Sequence, residues 1–128
     1  MRKIYVFGNP LLPFDSLPLK LIPELKKRFP KIEFLTIDPN ENLKPINKEL
    51  IIIDTVADIE KVTIFKDLKR LKTEKIYSAH DLDLAFNLKI LEKIGELKNT
   101  VIFGVPQNIK KSEALEQLTR LIREFKSN

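Results

Sequence analysis

Leu50-Ile51-Ile52-Ile53-Asp54 is the stretch on which the fold turns. Four consecutive large apolar residues read as a strand buried on both faces, because a strand with one wet face would alternate with polar residues. Strands of that kind belong to parallel sheets covered by helices. The carboxylate that closes the run marks the expected end of the strand.

Working outward, strands and helices alternate. Lys3–Phe7 reads as a first strand. Ser16–Arg28 reads as a helix carrying Leu17, Leu21, Ile22 and Leu25 on one face. Pro18 suits its first turn, whereas Pro23 in the interior is expected to kink it. Ile32–Ile37 reads as the second strand, and Asp38-Pro39-Asn40-Glu41-Asn42 as a turn cluster. Further short strands are expected at Val62–Phe65 and Lys75–Ser78, with a short helix or turn over Lys66–Lys72 between them. A helix is expected over Asp83–Leu97, with Leu84, Leu88, Leu91 and Ile94 on its apolar face. Thr100–Val105 is the last strand. The final helix opens at Ser112 as N-cap and buries Leu115, Leu118, Ile122 and Phe125. The pattern predicts one α/β domain over residues 1–128, with a mostly parallel sheet covered by helices on both faces.

Composition narrows the function classes. The chain has 128 residues, enough for one core. It contains no cysteine, so disulfides, zinc–thiolate sites and a cysteine nucleophile are excluded. No apolar run approaches the roughly 20 residues that span a bilayer. The N-terminal Met1-Arg2-Lys3-Ile4-Tyr5-Val6-Phe7-Gly8 reads as a strand, not a secretory leader, so a cytoplasmic location is expected. The formal charge is +5, but Lys26-Lys27-Arg28 falls at a helix end, where cations complement the helix dipole. Basic residues are not interleaved with aromatics, so no nucleic-acid partner is expected. The glycines are Gly8, Gly95 and Gly104, so neither a P-loop nor a dinucleotide fingerprint can be written. No Gly-x-Ser-x-Gly elbow is present either.

Three residues follow apolar runs at expected strand C-termini: Asp15 after Lys3–Phe7, Asp54 after Leu50–Ile53, and His80 after Ile76-Tyr77-Ser78-Ala79. Strand C-termini converge on one edge of an open α/β sheet, where ligands bind. Two carboxylates and an imidazole there form a set suited to Ni²⁺, Zn²⁺ or Cd²⁺. Ligation requires a neutral imidazole, so metal affinity is expected to fall as pH drops below its pKa. Each residue also has a structural reading: Asp15 as a helix N-cap, Asp54 as a turn cap, His80 as a packed imidazole. Asp81 and Asp83 are candidates to orient His80, or else helix caps.

These residues also carry a resemblance. Gly8-Asn9-Pro10-Leu11-Leu12-x-x-Asp15 resembles the opening motif of the nickel–iron hydrogenase maturation endopeptidases, Gly-Asn-x-Leu-x-x-Asp-Asp/Glu-Gly. Ile51-Ile52-Ile53-Asp54-Thr55 is similar to that family's apolar strand ending in Asp-Ala. Ser78-Ala79-His80-Asp81-Leu82 is similar to its Thr-Thr-His-Asn/Asp segment, and Val101-Ile102-Phe103-Gly104-Val105 to its late strand. The resemblance runs over nearly the whole chain. It implies a three-layer α/β fold with a five-stranded sheet. It also implies an endopeptidase, acting as a monomer, that removes the C-terminal extension of a hydrogenase large-subunit precursor after nickel insertion. Asp15, Asp54 and His80 would then contact substrate-borne nickel, with zinc or cadmium able to substitute, and would carry catalysis. Asn9, Phe14 and Asp81 would meet the substrate. The pattern departs at Phe14, where an acid is usual, and at Ser16 and Pro18, where glycines are usual. Asp38-Pro39-Asn40 replaces a Gly-Gly turn, and the chain is short. Those departures suit an alternative: a non-catalytic relative acting as a protein- or metal-binding module.

Overall fold

The computed structural model describes residues 2–8, 16–36, 49–56, 58–66 and 99–126. Its strands are β1 (Arg2–Val6), β2 (Ile32–Thr36), β3 (Glu49–Val56), β4 (Thr63–Phe65) and β5 (Asn99–Pro106). Helix α1 (Leu17–Arg28) joins β1 to β2, and helix α2 (Lys111–Lys126) follows β5. The five strands form one sheet in the order β2-β1-β3-β5-β4. Pairing is parallel throughout except between β4 and β5, which are antiparallel. The expected five-stranded, mostly parallel α/β sheet is present.

Alternation along each strand sorts the core. Ile4, Val6, Ile51, Ile53, Val101, Phe103 and Val105 meet Leu21 and Leu25 of α1 and Ala114, Leu118 and Ile122 of α2 in one cluster. The intervening Leu50, Ile52, Val56 and Ile102 point to the other face and are equally buried. Both faces of the central strands are therefore dry, as the unbroken apolar run in β3 predicts.

Local details differ from the sequence reading. Asp54 does not end β3; the strand continues through Thr55 and Val56, because pairing with β5 continues to Val56 opposite Pro106. α2 begins at Lys111, so Ser112 lies inside its first turn and is not the cap. The first helical bond runs from the Ala114 amide to the Lys110 carbonyl, and Ile109 packs against the core. That apolar anchoring sets the entry of the helix ahead of the local preference of serine for a cap. α1 starts at Leu17 with Ser16 at the cap position, but no side-chain cap bond forms. Pro23 is carried inside α1 at an exposed position, where its ring faces water and the helix runs on to Arg28. Ile37, the turn at 38–42, the strand at 75–78 and the helix at 83–97 lie outside the described residues.

Candidate functional site

The sheet changes direction between β1 and β3. From β1 the chain crosses by α1 to β2 on one side, while β3, β5 and β4 extend to the other. In an open α/β sheet the strand C-termini beside such a switch point frame the ligand crevice. Here those ends are Val6-Phe7-Gly8 and Asp54-Thr55-Val56.

The β1–β3 ladder stops early. Its last pair is Val6 with Ile53, and the last bond is donated by the Phe7 amide to the Ile53 carbonyl at 2.9 Å. In a parallel ladder the N–H and C=O of one residue point to the same neighbour. Ile53 faces β1, so Thr55, two residues on, faces β1 as well. Its N–H points into the space that β1 leaves after Phe7. The Asp54 carboxylate fills that role: Oδ1 accepts the Thr55 N–H at 2.8 Å. A side chain thus replaces the missing strand, and a charge-assisted bond fixes the carboxylate at the switch point.

Asp54 is completely buried, as is Thr55. An ionised carboxylate leaves water at large cost unless hydrogen bonds, a counter-charge or a cation compensate. A buried aspartate here therefore marks a polar point within an apolar sheet edge. The Thr55 hydroxyl is buried with no hydrogen-bond partner among the described residues. On β5, Gly104 lies opposite Asp54. A Cβ on Gly104 would come within 2.8 Å of Val56 Cγ2 and 3.0 Å of Phe65 Cε2. The end of β3 is packed against β5 and β4 at its closest tolerance, and its main-chain pairing is incomplete on the β1 side.

Of the sequence-predicted site residues, Asp54 is placed at this crevice. Asp15, His80, Asn9, Phe14 and Asp81 lie outside the described residues. Among the described residues no three histidine, aspartate or glutamate side chains come together as a metal-binding group. Thr55, whose amide holds Asp54, escaped the sequence reading, since a main-chain donor has no residue signature. Gly104 carried a signal, because a glycine inside a strand marks a close approach.

A model of the hydrogenase maturation protease family matches residues 20–126. Among solved structures, the hydrogenase maturating endopeptidase HybD from E. coli aligns with a TM-score of 0.65 at 25% identity. That alignment covers 98% of this chain and 94% of the other. An endopeptidase from Escherichia coli aligns with a TM-score of 0.58 at 25% identity, over 98% of this chain and 89% of that one. A hydrogenase 3 maturation protease shares the fold with a TM-score of 0.59 at 15% identity, over 94% and 88% of the two chains. No curated protein matches the chain.

Proposed function

The chain belongs to the hydrogenase maturation protease family, and on that premise we propose that it is an endopeptidase acting on a nickel–iron hydrogenase large-subunit precursor. It removes the C-terminal extension once nickel is inserted, working as a monomer in the cytoplasm. Asp15, Asp54 and His80 contact the substrate-borne nickel, for which zinc or cadmium can substitute. Asn9, Phe14 and Asp81 meet the precursor chain.

One observation carries the reading: a fully buried carboxylate, Asp54, held at the β1/β3 switch point by the Thr55 amide. A carboxylate is a donor suited to a divalent cation, and a cation offsets the cost of burying it. The cation would polarise the scissile carbonyl for attack by water. The Thr55 amide keeps one Asp54 oxygen oriented, so this ligand is ordered before substrate arrives. Among the described residues no helix is long and apolar enough to cross a membrane.

Nickel-loaded and nickel-free precursor, each incubated with the protein and weighed by mass spectrometry, test this reading. Loaded precursor should lose its C-terminal extension and nickel-free precursor should not. Asp54→Asn should lower the rate by more than the roughly 10–100-fold typical of a lost outer-shell partner. Its stability should change by less than about 1 kcal/mol, because the amide oxygen still accepts the Thr55 N–H. His80→Ala should abolish Ni²⁺ or Cd²⁺ binding in calorimetry with little loss of melting temperature. Loaded precursor left intact by the wild type would sink the endopeptidase reading.

A second reading has its own support. Asp54 already serves the main chain and is fully enclosed, as suits a relative that binds a partner without cutting it. Retained binding of precursor with no shortening would select it.

A further inference from the structure

α1 and α2 lie side by side on one face of the sheet with their C-terminal ends at the same pole. The end of α1 meets the second half of α2: Arg28 Nη1 donates to Thr119 Oγ1 at 3.2 Å. Arg123 and Lys126 lie over the Phe29 ring at 5.9 and 5.6 Å from its centroid. This pole is remote from the strand C-termini that hold Asp54, since both helices run back from that edge.

An open groove between the two helices is lined by Arg28, Glu116, Thr119, Arg120, Arg123 and Glu124. The helix dipole accounts for cations in a last turn, but its influence fades within that turn. Arg120 lies two turns before the end of α2, beyond that reach. Arg28 turns its guanidinium across to buried Thr119 and away from its own helix end. Neither Arg28 nor Arg120 makes an ion pair within 4 Å among the described residues, where Lys27 pairs with Glu24 at 3.7 Å. Two of the three guanidinium groups are thus pinned, Arg28 by a hydrogen bond and Arg123 by the Phe29 ring. A pinned guanidinium loses little freedom on meeting a carboxylate, and its planar fork suits bidentate contact.

We propose that this groove docks a net-acidic surface segment of the precursor protein, carboxylates of the partner meeting Arg28, Arg120 and Arg123. The identity of the partner rests on the function proposed above. Glu116 and Glu124 decide the class of ligand. They flank the arginines along α2, in the order Glu116, Arg120, Arg123, Glu124, and would repel a continuous phosphate backbone. A protein segment of mixed charge can match them residue by residue. The groove would also give the protein a grip on the folded precursor far from the cleavage point, with the salt sensitivity expected of charge pairs.

The test measures binding of full-length precursor by calorimetry and its cleavage in parallel, for wild type, Asp54→Asn and Arg120→Glu/Arg123→Glu. Both arginines are exposed, and a melting curve checks the fold; Arg120→Gln/Arg123→Gln is the milder companion variant. The charge reversal should weaken binding and raise KM by about tenfold or more, with kcat within about twofold. Raising salt should narrow the gap between wild type and variant. Asp54→Asn should slow cleavage strongly, and adding Arg120→Glu/Arg123→Glu to it should weaken precursor binding by the same factor as in the wild-type background. Wild-type binding of precursor that the charge reversal leaves intact would overturn the proposal, as would no binding by the wild type. Wild-type binding without cleavage would defeat the endopeptidase reading alone, and the variant would still decide the groove. Displacement of precursor from the groove by oligouridylate, with oligouridylate bound more tightly, would overturn it in favour of nucleic acid.

Discussion

The two sides of β3 differ. Toward β5 the register runs unbroken from Glu49 opposite Asn99 to Val56 opposite Pro106. Toward β1 it covers Tyr5 with Ile52 and Val6 with Ile53, and then ends. One side is closed by main-chain pairing up to the rim. The other opens after Phe7, where a single carboxylate stands in for the departed strand. A parallel sheet can therefore leave main-chain groups at a strand end for side chains to serve by ending one ladder before the other. The fully paired side furnishes rigidity, and the other leaves polar main-chain groups that side chains must satisfy.

The largest effect should come from the closed side. Phe103 is fully buried on β5 and meets Phe125 edge-on at 5.9 Å between ring centroids. Phe103→Ala should cost about 3–5 kcal/mol, read from the shift in denaturant midpoint. A loss under about 1 kcal/mol would mean that β5 is not the anchor of the sheet. Gly104→Ala should come next, at about 1–3 kcal/mol, because its Cβ would press on Val56 and Phe65. Adding Val56→Ala removes the nearer neighbour, so the pair should be less destabilising than the sum of the single changes. Additive losses would show that the tight packing beside Asp54 is relieved by backbone movement instead. The smallest effect should come from Thr55→Val. The hydroxyl is buried without a partner among the described residues, so its removal should be neutral or stabilising by up to about 1 kcal/mol. A clear loss of stability would show that the hydroxyl serves the open side.

Most of the sheet was legible because buried parallel strands leave a local mark. Leu50–Ile53 and Thr100–Val105 are apolar runs whatever they pair with, and α1 shows its buried face through Leu21 and Leu25. What eluded reading depends on distant partners. Thr55 and Val56 belong to β3 only because β5 pairs with them, and a buried aspartate interrupts the apolar pattern that would have signalled it. β4 was visible as a short apolar run, but its antiparallel direction is set by β5. Ser112 carried a strong cap preference, yet the helix starts two residues earlier, with Lys110 at the cap position and Ile109 packed on the core. In the candidate site, Asp54 was legible as a carboxylate near a strand end, two residues before β3 stops. Its hold on the Thr55 amide was not, since it follows from where β1 departs. Gln117 gave no hint that its Oε1 accepts the Val62 amide at 2.8 Å, a contact joining residues 55 positions apart.

β4 also shapes how the molecule behaves in company. Among the described residues it finishes the β5 side of the sheet at three residues, an edge too brief to template another strand. A second copy, or the slack tail of a client protein, finds little there to zip onto. The protein can thus be crowded beside unfolded ends without being drawn into a shared sheet along that border.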